Sequence, residues 1–234
     1  MPSVVTPERF ASGMTFDQYA TFIGTPGNLA REATNHSSRI DYSAFFREAF
    51  DKARLNEPQM AALHWLCSQP GGPAKMLVLS EDWSSDCRRD VPMFARMAFE
   101  ARMELRIFPR DGQVWSDSNS PSKAETPDSN ADIMAEFLNH KNGNTWQSIP
   151  LAVFYNDRLE YLYHYQEYPA IYQKDPLLAK VRSPQPGETP AETAARSNRD
   201  FLALQDSAWF RIWQCAAVDE MLSALQRRLL LGRA

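Results

Sequence analysis

Cys87 is the residue whose type and setting most readily suggest chemistry. It closes the pentapeptide Trp83-Ser84-Ser85-Asp86-Cys87, which follows the apolar run Met76-Leu77-Val78-Leu79 and opens a segment with Met93, Phe94, Met97 and Ala98 at helical spacing. A thiol in the first turn of a helix lies among unpaired N–H groups and the positive end of the helix dipole, which favour the thiolate. Ser84 is placed to cap that helix by accepting the Cys87 N–H, and Asp86 puts a negative charge where the dipole favours it. Cys87 and Ser84 are the candidate catalytic pair; a small buried hydrophobe and a helix cap are the structural roles that compete. The other thiols, Cys67 and Cys215, lie in apolar helical stretches. His36, His64, His140 and His164 show no ligand spacing with one another or with the cysteines, so no metal site is expected. With no glycine-rich phosphate loop and no Ser–His–Asp arrangement, no cofactor is expected either.

The elements around this segment follow from hydrophobic period. Thr15 to Gln18 reads as a capping box ahead of Phe16, Tyr19, Phe22 and Ile23, with Thr25-Pro26-Gly27 as the stop. A second helix carries Tyr42, Phe45, Phe46, Ala49, Phe50 and Ala53 on one face; a third starts at Asn56 and breaks at Pro70-Gly71-Gly72-Pro73. From there the period becomes that of a buried strand (Met76–Leu79), a helix from Ser84 to Ala101 and a strand over Glu104–Phe108, a βαβ unit. Residues 109–131 are polar and predict a surface loop. A helix is expected over Ala131–His140, ended by Asn142-Gly143, followed by an antiparallel hairpin of Leu151–Tyr155 and Leu159–Tyr165 entered through Ile149-Pro150. After the linker Ser183-Pro184-Gln185-Pro186-Gly187, a capping box at Thr189 starts helix that continues to Leu231, burying Phe210, Trp213 and Cys215.

The order β-α-β, α, then a proline-led hairpin, together with Trp83, Asp86-Cys87, Pro92 and Ile149-Pro150, resembles the thioredoxin-like superfamily over residues 74–165. In particular it is similar to bacterial thioredoxin-family proteins with a Trp-Cys-Gly-Asp form of the motif. The resemblance implies an α/β fold with a central mixed sheet and a cis-proline at Pro150 facing the motif. Helical extensions, 1–73 and 166–234, would flank the core of 74–165, with the polar insertion at 109–131. It further implies that Trp83, Asp86, Ile149 and Pro150 border a groove where an extended peptide pairs with exposed backbone.

In that family a first cysteine attacks the substrate disulfide and a second, one turn on, resolves the mixed disulfide. Here the first position is Ser84, whose hydroxyl ionises far too reluctantly to replace a thiolate. The buried carboxylate of the preceding strand, nine residues before the second cysteine, corresponds to Val78; Glu81 and Asp82 lie near the strand's exit and are poor substitutes. Three functions stay open. One is a monothiol redox role through Cys87, acting on glutathione or a protein partner, which requires a depressed thiol pKa and solvent access. A second is a non-catalytic module that binds a peptide or protein partner in the cis-proline groove, its helical additions shaping that surface or a homodimer contact. The third is glutathione-transferase-like chemistry at Ser84, which the long N-terminal extension fits poorly.

Composition narrows the setting. The chain of 234 residues is 44% hydrophobic with a net charge of −4 and scattered basic residues, which argues for a folded core and against a nucleic-acid footprint. It contains no apolar run of transmembrane length, and the first ten residues do not have the pattern of a signal peptide. Three widely spaced cysteines point to a reducing, cytoplasmic compartment.

Overall fold

The computed structural model describes residues 3–232, and the chain divides into two compact units. One unit runs through Glu167 and takes up the chain again from Met221; the other is Tyr168–Glu220.

In the first unit, the N-terminal helices begin at well-formed caps. Helix α1 (Pro7–Ala11) is capped by Thr6, and α2 (Phe16–Ile23) opens with the reciprocal box of Thr15 and Gln18 and buries Tyr19, Ala20 and Ile23. Thr25 does more than end α2: its hydroxyl accepts from the Asn28 N–H and caps the single turn α3 (Pro26–Leu29). Helix α4 (Ser43–Lys52) buries Phe46, and α5 (Glu57–Ser68) starts at a second capping box, Asn56 with Gln59, and buries Leu63 and Leu66.

The sheet carries the site. Strands β1 (Lys75–Ser80) and β2 (Glu104–Pro109) are parallel, joined by α6 (Ser85–Ala101). Ahead of β5 come α7 (Ala131–Glu136) and a small hairpin of β3 (Asn139–Lys141) and β4 (Asn144–Trp146). Strand β5 (Leu151–Tyr155) runs antiparallel to β1, with β6 (Tyr161–Gln166) beyond it, giving the order β2-β1-β5-β6. Strand β5 and β1 beyond Lys75 are wholly buried, which is why both read as continuous apolar runs. A mixed sheet flanked by helices is the arrangement that the resemblance implies. At the β2 margin Met14 pairs with Ile107 in both directions, N–H to O at 2.9 and 2.7 Å. Gly13 is needed for that approach, since a Cβ there would lie 2.5 Å from the Phe108 ring and 2.9 Å from the Arg106 Cβ.

The expected helix over Ala131–His140 is shorter and gives way to the β3–β4 hairpin. Asn142 and Gly143 both have positive φ, 52° and 77°, so the pair forms the tight turn of a hairpin rather than a helix end. Residues 110–130 contain no helix or strand, as a loop reading requires, yet Arg110 and Asp111 at its start are buried.

The second unit is helical. Helix α8 (Lys174–Arg182) has no counterpart in the sequence reading, and the long final helix breaks at Asp206-Ser207 into α9 (Pro190–Gln205) and α10 (Ala208–Leu231). Thr189 caps α9 as expected, and Arg196 reaches back to the carbonyls of Val181 and Ser183. Tyr172, Phe210 and Trp213 form the core of this unit, with Tyr172 and Trp213 stacked at 4.0 Å. Cys215 is half-buried rather than buried. From Met221 onward α10 belongs to the first unit and buries Met221, Leu222 and Leu225. No described helix is long and apolar enough to cross a membrane.

Candidate functional site

Strand directions bring three loops to one end of the sheet. The parallel strands β1 and β2 both finish there, Ser80 opposite Pro109, while antiparallel β5 begins there, with Leu151 opposite Leu79. Glu81–Ser84, Arg110–Gly112 and Ile149–Pro150 are therefore neighbours, at the carboxyl end of the parallel strands where open α/β sheets place their ligands. The Ile149–Pro150 bond is cis. Ile149 and Pro150 are both buried, and the Pro150 carbonyl accepts the Glu167 N–H at 2.9 Å.

Ser84 is the N-cap of α6, its hydroxyl accepting the Cys87 N–H at 3.4 Å. Cys87 has no exposed surface, and the Glu81 N–H points at its sulfur at 3.5 Å. Burial pushes the thiol up to about 12, against the pull of the Glu81 N–H and the hydroxyls of Ser80 and Ser84. The position at a helix N-terminus does lower the cost of a thiolate, but desolvation outweighs it. Neither property that a monothiol cycle needs, a low pKa or solvent access, is found at Cys87. Trp83 is half-buried, with the Arg110 guanidinium 5.5 Å from its ring centroid and its indole N–H buried without a partner.

Glu81 and Asp82, set aside in the sequence as poor substitutes for the family's carboxylate, are each 1% exposed and lie at the centre of an ionic network. The Arg31 guanidinium donates to Glu81 at 2.9 Å, to the Asn28 side chain at 2.9 Å and to the carbonyls of Asp111 and Gly112. Arg39 pairs with Asp82, and its second terminal nitrogen lies 2.7 Å from Glu81 Oε2 but off the angle of a hydrogen bond. The Asp111 N–H closes on Glu81 at 2.7 Å, and the Asp111 carboxylate takes Arg110 in a two-pronged pair. Burial drives Asp111 up to about 7 and raises Asp82, with Arg110 and Arg39 opposing. Arg88 adds hydrogen bonds to the carbonyls of Asp82 and Trp83 and lies 4.2 Å from the Tyr42 ring centroid.

A second buried group follows along α6. Arg89 is held between Asp86 at 2.8 Å and Asp90 at 2.6 Å, and donates to the Glu167 carbonyl. Asp86 thus serves as an ion-pair partner inside the protein. Asp90, fully buried and touched by the Tyr165 hydroxyl at 3.3 Å, is pushed up to about 6 by desolvation. The charges packed around the Trp83–Asp90 segment come from Arg31, Arg39, Arg110 and Asp111 as much as from the motif. The sequence offers one signal for them: two adjacent acids, Glu81-Asp82, at the exit of a wholly apolar strand must either reach water or find cations. Which cations cannot be read locally, because Arg31 is 50 residues from Glu81 and Arg39 is 43 from Asp82. Among the described residues no group of three or more His, Cys, Asp or Glu could hold a metal ion.

The thioredoxin family model matches residues 34–115, a span that includes Arg39, Glu81-Asp82, the Trp83–Cys87 segment and Asp111. No curated protein matches the sequence. Among solved structures, a protein of unknown function from Pseudomonas aeruginosa matches at 16% identity with a TM-score of 0.48, over 97% of this chain and 98% of that one. An HIV epitope scaffold matches at 16% identity and a TM-score of 0.48, over 100% of both chains.

Proposed function

Starting from a chain that belongs to the thioredoxin-like superfamily, we propose that it works by binding a protein or peptide partner and not by thiol exchange. The observation that carries this reading is the state of Cys87: fully buried, its thiol pushed up to about 12, in a motif whose first position is a helix-capping serine. Against an ordinary thiol near pKa ~8.5, such a shift leaves about three orders of magnitude less thiolate at neutral pH. A monothiol cycle through Cys87 therefore lacks its nucleophile. Glutathione chemistry at Ser84 lacks an open hydroxyl, since that oxygen is engaged by the Cys87 N–H and the residue is buried. Partner recognition at this end of the sheet centres on Trp83, the large half-buried side chain of the motif, backed by the ionic network and flanked by Ile149 and Pro150.

Two measurements test the reading. Insulin reduction is expected to be absent in the wild type and to appear in Ser84→Cys, and Cys87 in native protein is expected to react with iodoacetamide at least about a hundredfold more slowly than a free thiol. Turnover by the wild type, or alkylation at the free-thiol rate, would overturn it. Selection of extended peptides against wild type and Trp83→Ala tests the binding half: sequences enriched on the wild type should be lost on the variant, and their retention would rule this face out.

A further inference from the structure

A second feature lies at the other end of β5, independent of the motif. A cleft of about 400 Å3 is bordered by Glu136, Phe137, Tyr155, Tyr161 and His164, with Ser3 at its rim. Three properties of these residues set its chemistry.

The first is an incomplete hydrogen bond. Tyr155, the last residue of β5, is 3% exposed, and its hydroxyl is buried without a partner. Tyr155 borders the cleft together with Glu136 and Tyr161, whose charges, after burial, hold its phenol above the usual range. A buried hydroxyl left in this state costs stability until something completes it. The second is a negative charge at the mouth. Glu136 is exposed there, accepts from the Ser3 hydroxyl at 2.7 Å and from the Val4 N–H at 2.5 Å, both neutral donors, and no cation pairs with it among the described residues. Third come the walls. The Phe137 and Tyr161 rings lie 6.4 Å apart at 29°, and the His164 ring is 5.2 Å from Phe137. His164 bonds the Tyr161 hydroxyl through Nδ1 at 2.8 Å, and burial lowers its pKa, so it does not supply a competing cation at neutral pH.

We propose that this cleft is a binding site for a small organic ammonium ion, a primary amine carried on an aromatic or apolar body. Glu136 supplies the counter-charge, Tyr155 Oη accepts one ammonium N–H, and the faces of Phe137 and Tyr161 line the cation's apolar flank, where their quadrupoles favour positive charge. An anion would meet the Glu136 carboxylate, and a purely apolar guest would leave the Tyr155 hydroxyl unpaired. A neighbouring cleft of about 590 Å3 shares Tyr161 but is lined by Arg227 and Arg228. It has the opposite sign and serves as an internal control.

The test is a titration of the full chain with benzylammonium, benzyl alcohol and benzoate, followed by calorimetry and by NMR shifts of the Tyr155 and Tyr161 rings. Benzylammonium is expected to bind at one site, about tenfold or more tighter than benzyl alcohol, with that advantage lost in Glu136→Gln and reduced several-fold in Tyr155→Phe. Tyr155→Phe keeps the ring and removes only the unpaired oxygen, so it reports on the site even if the Glu136 variant folds poorly. No benzylammonium binding at millimolar ligand, equal affinity for benzyl alcohol, or affinity indifferent to Tyr155→Phe would overturn the proposal. Benzoate binding that shifts Tyr155 would do the same.

Discussion

At the Pro150 end of β5, three acids and three arginines are buried together and face one another as opposite charges, although Arg39, Glu81 and Asp82 each keep one side-chain atom outside hydrogen-bond geometry. At the Tyr155 end, one tyrosine hydroxyl is buried without a partner beside aromatic rings, and the nearby Glu136 carboxylate is exposed and answered only by neutral donors. Both ends belong to one strand of five residues, so the contrast does not come from the sheet itself. It comes from what the flanking loops deliver. The first end receives Arg31 and Arg39 from the N-terminal segment and Arg110-Asp111 from the loop after β2, whereas the second receives Ser3–Val5, the end of α7 and the β5–β6 turn, none of which brings a cation to the cleft among the described residues. A buried ionic cluster resists rearrangement and can back a preformed recognition surface, while an aromatic cleft with a free acceptor can take a small guest.

The largest effect should come from breaking the ionic end. Arg39→Ala strips the guanidinium from Asp82 and Glu81 and leaves two carboxylates buried; a loss of about 3–5 kcal/mol is expected, read as a lower urea midpoint. A loss below about 1 kcal/mol would mean that water reaches these acids and that the two ends differ less than described.

A pH series sharpens the same contrast. Asp111, near 7 when folded, and Asp90, near 6, keep protons that the unfolded chain releases around pH ~4. Between about pH 4 and 7 the folded state thus binds more protons, and stability falls as pH rises through that window. The melting temperature is expected to be higher at pH 5.5 than at pH 8, at about 2–4 °C per kcal/mol for a chain of this size, with a flatter profile in Asp111→Asn. Carboxyls with lowered pKa such as Glu188, near 2, titrate below the window, while the lowered pKa of His164 opposes the trend within it, so the flattening in Asp111→Asn is the deciding comparison. A melting temperature that climbs from pH 5.5 to 8 would contradict the burial of these acids.

The smallest effect compares two tyrosines. The Tyr19 hydroxyl donates to Ser80 at 2.9 Å inside the core, whereas that of Tyr155 has no partner. Tyr19→Phe should cost about 1 kcal/mol in chemical denaturation, and Tyr155→Phe should be neutral or stabilising by up to about 1 kcal/mol. Equal losses in the two would show that the Tyr155 hydroxyl is satisfied after all.

Elements that depend on local rules were legible in the sequence. Capping boxes at Thr15, Asn56 and Thr189, the Ser84 cap and the two buried strands β1 and β5 all obey constraints that act over four residues or fewer. Asn142-Gly143 was legible but ambiguous, since the same dipeptide ends helices and turns hairpins; the short apolar run before it did not decide between them. The ionic end was not legible. Its arginines are ordinary polar residues in their own neighbourhoods, and only the folded chain carries Arg31 and Arg39 to Glu81-Asp82. Nor could spacing reveal the aromatic cleft, because Glu136, Tyr155 and His164 meet through the turn of a hairpin and the end of a six-residue helix.

The pairing of Met14 with Ile107 has a consequence for self-association. By occupying the outer amide and carbonyl at the middle of β2, it blocks one flank of the sheet, while no strand adjoins the far side of β6 among the described residues. Endless edge-on stacking of identical copies requires two receptive flanks per molecule. On the β2 flank, an incoming strand would first have to displace Met14 from Ile107.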